Sequence, residues 1–335
     1  MTESDRLGGA LQRRGVLLGA AALAGLQGRT ATAQTAAPAW PVRQARFLIP
    51  FAAGGAQDIL IRLIAQRLSQ KLGSTFIVEN KAGAGGAIGT MEVARAAPDG
   101  ATLLATTMGI SILPGIQPRL GFDPVRELAP VSLLSDMALG FMVRADSPIR
   151  DLGDLLAKAK AEPDRYTYGS GGVGTAAHLA GAMLNAMAGV ELTHVPYGGV
   201  ARAVTAIYTG EIDTVFGSAL EILPHIRAGR GRLLAITLSE RLPNLPDVPT
   251  MAEYVPGYTA PSWFALFAPK GFPAPLMDRL VTELAEMRTE PSVLAWIAQG
   301  EALMRLDGPA PLAERLATDI AKWRDVIARA NIRAE

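Results

Sequence analysis

The sequence predicts an α/β fold of two lobes, each a mostly parallel sheet flanked by helices. Three observations carry that expectation. Short apolar runs bounded by Gly and Pro alternate with longer segments of helical periodicity, the rhythm of βαβ units. This alternation occurs in two sets, one opening near residue 46 and the other near 138. A further apolar strand pattern near 263 precedes a helical C-terminal stretch, which reads as a return to the first lobe. With 335 residues, 49% of them hydrophobic, the chain has length for two domains and apolar mass for their cores.

The elements follow in order. After an Ala/Pro-rich start at 34–43, RFLIPF (46–51) is a buried strand pattern. Ile59, Leu60, Leu63, Ile64 and Leu68 then recur at helical spacing up to Gly73. TFIVEN (75–80) and ATLLATT (101–107) are strands on either side of a helix over AIGTMEVARAA (87–97), which Pro98-Asp99-Gly100 stops. The second set begins with the strand ALGFMVR (138–144) and the helix DLGDLLAKAKA (151–161), with Asp151 as N-cap. YTYGS (166–170) is a strand end, TAAHLAGAMLNAM (175–187) a helix and LTHVPY (192–197) a strand. VARAVTAIYTG (200–210) is helical, and IDTVFGS (212–218) and GRLLAITL (231–238) are strands. WFALFAPKG (263–271) is the last strand, followed by helices near 274–289, 291–299 and 309–330, the final one read as packing. Two crossings, near 139–143 and 261–266, would form a hinge between one lobe of 42–140 plus 262–335 and another of 141–261. A cleft between such lobes is a common place for a small-molecule site.

The first 33 residues stand apart from this pattern. VLLGAAALAGL (16–26) is too short an apolar run to span a bilayer, and Ala31-Thr32-Ala33 offers a small-residue cleavage site. Arg13-Arg14 in LQRRGVLLG resemble a twin-arginine export signal, so the expected location is the periplasm. Removal of 1–33 takes four arginines and two acids from totals of 32 basic and 31 acidic residues. That leaves 28 against 29, a formal charge of −1, and no basic excess with which to bind a nucleic acid. The absence of cysteine excludes disulfides, thiolate chemistry and cysteine metal sites. The three histidines, His178, His194 and His225, form no His-x-x-x-His array, and no metal site is expected.

Two glycine-rich turns are the main functional signal: PFAAGGAQD (50–58) and YGSGGVGTAAH (168–178), each between a strand and a helix. A helix start presents unpaired N–H groups and the positive end of the macrodipole, and glycine lets a ligand approach that backbone closely. Two such turns can hold a carboxylate without a basic side chain. The competing readings are weaker. GSGGVG (169–174) matches a dinucleotide fingerprint, which would make the chain an exported NAD(P)-dependent oxidoreductase. That fingerprint needs an acidic residue at the end of the next strand, whereas Glu191 falls at its beginning. Ser170 lacks the glycine two residues before it that a nucleophile elbow requires. His178 is expected to cap, pack or hydrogen-bond rather than act as a base. Asp58 either favours the helix dipole or contacts ligand; Tyr197 either packs or lines a pocket; and GAGGAIG (83–89) is compatible with a plain turn.

In combination the motifs become more specific. IPFAAGGAQDILIR (49–62), VENKAGAGGAIGT (78–90), PDGATLL (98–104) and FDPVRELAPVSLL (122–134) are followed by YGSGGVGTAAHLAGAM (168–183) and THVPYGG (193–199). LPDVPTMAEY (245–254) and WFALFAPKGFPAP (263–275) complete the series, which spans nearly everything after residue 43. In this order the chain resembles the substrate-binding proteins of tripartite tricarboxylate transporters, the Bug family of periplasmic receptors. The resemblance implies a type II-like periplasmic-binding-protein fold with a two-crossing hinge and no enzyme activity or cofactor. It also implies a monomer that closes on a small organic carboxylate and delivers it to membrane permease subunits. A sensory receptor with the same fold is an alternative that the residues do not separate from transport. Carried over by motif, the ligand-binding positions are Phe51, Ala53, Gly54, Gly55 and Asp58 on the first lobe. On the second they are Ser170, Gly171, Gly174, Thr175 and His178, with Tyr197, Asp213 and Phe216 nearby. Gln57, Gly198, Arg202 and the apolar MGISILPG (108–115) depart from the family's usual pattern. An apolar wall at 108–115 would suit an aromatic or aliphatic acid better than citrate.

Overall fold

The computed structural model describes residues 40–117, 119–300 and 302–333; the expected export segment, 1–33, lies outside them. The strands β1 (Gln44–Ile49), β2 (Thr75–Asn80) and β3 (Thr102–Thr107) alternate with the helices α1 (Ala56–Leu72) and α2 (Ala87–Ala94). The helix α3 (Gly109–Ile116) and the strand β4 (Leu128–Met137) close this run. A second sheet is then laid down by β5 (Leu139–Arg144), α4 (Leu152–Ala161), β6 (Thr167–Ser170), α5 (Ala176–Ala188) and β7 (Thr193–Pro196). It continues through α6 (Val200–Thr209), β8 (Thr214–Ser218), α7 (Ala219–Arg227) and β9 (Gly231–Ile236). The return is made by β10 (Ser262–Pro269), α8 (Ala274–Glu286), α9 (Pro291–Gly300), β11 (Ala302–Asp307) and α10 (Pro309–Arg329). Among the described residues no helix is long and apolar enough to cross a membrane.

Local chemistry explains most of these boundaries. On α1, Leu60, Ile61, Ile64, Leu68 and Leu72 recur at spacings of three and four and are buried. Gly73 ends that helix at φ 65°, a left-handed conformation costly for residues with a Cβ. Asp151 caps α4 as its position predicts, accepting the Asp154 N–H at 2.7 Å.

The two α/β lobes are present, but their sheets are mixed rather than mostly parallel. The strand orders are β11-β4-β10-β3-β1-β2 and β7-β6-β8-β5-β9. In the first sheet β10 runs antiparallel between β3 and β4; in the second β5 runs antiparallel between β8 and β9. Both are strands that bring the chain in from the other sheet. The chain leaves the first sheet at the C-terminal end of β4 and enters β5 across Ala138 alone, so β5 must run back against its neighbours. The crossings are stitched together: Thr237 N–H donates to Leu139 O (3.0 Å), Leu139 N–H to Thr237 Oγ1 (3.1 Å), and Ala260 N–H to Thr237 O (3.1 Å).

Periodicity does not announce β4, α3, α7 or β11, the first three of which carry proline. Pro130 lies in β4, where the ladder with β10 is irregular, while Pro114 and Pro224 lie inside α3 and α7. The helix α10 packs as its spacing predicts, on α3, β4 and α5. The approach to α3 is close: a Cβ on Gly115 would lie 2.6 Å from Ile327 Cδ1. Its polar anchor is buried, with Trp263 Nε1–H of β10 donating to Asp319 Oδ2 at 2.7 Å and Lys322 Nζ 2.7 Å from Asp319 Oδ1. Replacing the indole leaves that carboxylate short of a donor. Trp263→Phe should cost about 1–3 kcal/mol beyond its packing loss, measured as a lower urea midpoint at unchanged slope.

Candidate functional site

Each parallel strand–helix unit starts its helix beyond the C-terminal end of the strand, so β1 and β6 deliver α1 and α5 to the edge where the sheets meet. The first turn is exposed from Ala52 to Gly55. Gly54 adopts φ 87°, and Gly55 sits at the N-cap of α1 with no side-chain cap, which leaves the first helical N–H groups for solvent or ligand. Phe51, Ala53, Gly54 and Gly55 are therefore brought to one rim.

Asp58 serves this turn from behind. Its buried carboxylate accepts Gly54 N–H at 3.1 Å and a two-point contact from Arg62 at 2.9 and 3.0 Å. The Arg62 bridge, helped by the Gly54 N–H and opposed by burial, holds the carboxyl below the usual aspartate range. Asn80 adds a donor to Phe51 O at 3.2 Å. Glu79 is engaged separately with Arg46 at 2.7 Å, so Asp58 and Glu79 form no acid–base pair. Beside Asp58, the Gln57 side chain is buried with neither amide atom partnered among the described residues.

The second turn follows β6. Gly172 and Gly174 take φ 138° and 74°, and Thr175 caps α5: its Oγ1 accepts His178 N–H at 3.3 Å and donates to Gly172 O at 2.8 Å. Gly174 N–H donates to His178 Nδ1 at 3.0 Å. Ser170, fully buried, lies 2.7 Å through Oγ from His194 Nε2 and accepts Gly172 N–H at 3.2 Å. The two imidazoles stack at 3.8 Å and line a separate cavity between α5, β7 and the end of α10. His178 and Ser170 thus brace the turn from the side away from the cleft. Burial lowers His178 to about 4; burial and then the neighbouring imidazole lower His194 to about 3. Both are neutral at pH 7, and a serine without exposure has no route to a substrate.

Between the turns lies a cavity of about 340 Å³. Phe51, Met108, Ile112 and Ile116 wall one side, and Val173, Gly174 and Thr175 the other. The lobes approach closely here, since a Cβ on Gly174 would lie 3.3 Å from Ile116 Cδ1. An adjoining cavity of about 560 Å³ is lined by Gly172, Tyr197, Gln117 and Arg333. Tyr197 is tied by its hydroxyl to Glu211 at 2.8 Å, and burial with that contact pushes it up to about 12.

Two expected positions are not brought to the cleft. Asp213 precedes β8 and accepts the N–H and hydroxyl of Thr167, at 2.9 and 3.0 Å, where β6 begins; the turn follows the other end of that strand. Phe216 is fully buried, stacked on Phe141 at 4.1 Å, because strand alternation turns it into the core. Arg202 is exposed on α6. Conversely, Gly85, Met108, Ile112, Ile116 and Val173 line the cavity without having been singled out as ligand positions. The available signal was the apolar run at 108–115 beside a glycine cluster at 83–86. The GSGGVG segment fails as a dinucleotide fingerprint, since β7 ends in Pro196 and Tyr197 without an acid.

The neutral imidazoles make stability depend on pH. An unfolded histidine takes up its proton near 6.5, while folded His178 resists protonation until about 4, so the unfolded state binds more protons between those values. Stability therefore falls as pH drops through that window, by on the order of 2 kcal/mol for His178 between pH 6.5 and 4.5. Urea denaturation at the two pH values should show the loss, and His178→Asn should remove about half of it, leaving the comparable share of His194. An identical slope in the variant would assign the dependence to other groups.

Comparison with known proteins agrees with this architecture. Residues 60–332 match the family model described as "Tripartite tricarboxylate transporter family receptor". A protein of Pseudomonas sp. (strain P51), encoded in the tcbD-tcbE intergenic region, is 35% identical over 93% of this chain and 94% of its own length. Among solved structures, the periplasmic binding protein BugD is 32% identical with a TM-score of 0.72, covering 88% of this chain and 100% of its own. R. palustris Rpa4515 with adipate is likewise 32% identical, with a TM-score of 0.75 and the same two coverages. The matching family is one of transporter receptors, and BugD is a periplasmic binding protein; neither is described as an enzyme. The chain belongs to the tripartite tricarboxylate transporter receptor family, the Bug-type periplasmic solute-binding proteins.

Proposed function

We propose that this protein is a periplasmic receptor that captures a small organic carboxylate between its lobes and passes it to the membrane permease of a tripartite transporter. The observation that carries the reading is a cavity lined by Phe51, from the strand end that leads into the first glycine turn, and by Val173, Gly174, Thr175 and Ala176 at the start of α5. The carboxylate would be held by the N–H groups left free in 53–57 and 173–177, those of Gly54, Gly174 and Thr175 being engaged with Asp58, His178 and Gly172, with Phe51 and Thr175 at its sides. Asp58, Ser170 and His178 act through the turns they brace. The lobes, 42–140 plus 262–335 and 141–261, would swing about Ala138 and the 259–262 return, and closure follows from tighter binding to the closed state. Export would use the leader at 1–33, by the twin-arginine route. Adipate bound to a relative supports the ligand class, and the family supports the permease partner.

A thermal-shift screen against organic acids and NADP tests this. An acid at 100 times its Kd should add about 2.7 kcal/mol, a rise of several degrees. Stabilisation by NADP with none by any acid would overturn the reading. Gly54→Val and Gly174→Val should each reduce acid binding at least tenfold, because φ 87° and 74° are strained for a β-branched residue. Unchanged affinity in both variants would remove the two-turn site.

A further inference from the structure

We infer that the preferred ligand is a monocarboxylate with an apolar body. The inference rests on the carboxylate-capture reading above and narrows its substrate class. Among the described residues, no Asp, Glu, Lys, Arg or His lines the cavity of about 340 Å³ between the turns. Its wall is made by Met108, Ile112, Leu113 and Ile116, with Phe51 beside them and Val173 opposite. The side-chain hydroxyls that reach it belong to Thr107, Thr175 and Ser262. Two of these are engaged: Thr107 Oγ1 accepts Gly109 N–H at 3.1 Å, and Thr175 Oγ1 caps α5.

On the capture reading, one carboxylate would be satisfied at the start of α5, which lines this cavity. A second, placed against the α3 wall, would meet no cation and few free donors, and burying an unpaired carboxylate is far costlier than burying a polar neutral group. An apolar body there gains in proportion to the area it removes from water. The wall cannot easily retreat, because α10 lies directly behind it, with Ile327 against Gly115. The adjoining cavity does contain a cation, Arg333, which defines the competing possibility of a diacid reaching across the boundary at Ile116 and Val173.

Isothermal titration of the purified protein with phenylacetate, hexanoate, adipate and malate decides the matter. We expect at least one monoacid to bind tenfold or more tightly than either diacid. Ile116→Arg, a change at a half-buried position that supplies the missing cation, should weaken that monoacid at least tenfold and strengthen adipate. Adipate or malate binding as tightly as the monoacids would overturn the inference while leaving carboxylate capture intact. Loss of that diacid binding in Arg333→Ala would then place its second carboxylate in the adjoining cavity. Failure of all four acids would overturn the capture reading together with this one.

Discussion

The direction of the strands is the constraint on which the rest of this molecule depends. In each sheet the βα units place helix starts at the carboxyl ends of strands, and the chain crosses between sheets at that same edge. A strand entering there has to run against its neighbours, which is why β5 and β10 are inserted antiparallel. The short crossings hold both carboxyl edges near each other, so Phe51, just past the end of β1, and the start of α5 line one cavity. Backbone bonds among Leu139, Thr237 and Ala260 join the crossings, and Trp263 with Asp319 pins α10 across the join.

The electrostatics of the cleft follow from how the turns are braced. Asp58 lies close to an anion site yet is neutralised by Arg62 and by the Gly54 N–H that it orders. Behind the second turn, two imidazoles kept neutral by burial and contact do the corresponding work without adding charge. What remains facing the cavity is backbone dipole, hydrocarbon and the hydroxyls of Thr107, Thr175 and Ser262. In the proposed site, selection would rest on the fit of an apolar body more than on counting charges, because a helix start attracts one anionic group and offers nothing to a second.

The roles of individual residues show where sequence reasoning reached and where it stopped. Gly54, Gly55, Gly174 and Thr175 were legible because a strand pattern, a glycine run and a helix pattern occur in succession, and backbone geometry there is a local property. Asp151 was legible as a cap for the same reason. His178 and Ser170 carried the right location but no direction: the stack on His194, 24 residues from Ser170, turns both away from the cleft. Asp213 and Phe216 were placed near the site by their strand, but its start lies at the far end from the turn and its alternation buries the phenyl ring. The elements β4, α3 and α7 escaped because proline interrupts their periodicity while long-range pairing and packing still hold them in place; β11 has no proline and escaped as a short edge strand held by its long-range ladder with β4.

Sequence by itself therefore determined the α/β class, nearly every element outside those proline-bearing segments, and the two turns able to hold an anion. These depend on periodicity, capping and glycine, which act over a few residues. Only the tertiary structure decided that the sheets are mixed and that Phe51, the apolar segment 108–116 expected as a wall, and the start of α5 line one cavity. Those features arise from contacts between residues far apart in the chain, such as Gly174 with Ile116 and Gly115 with Ile327, which no local pattern encodes.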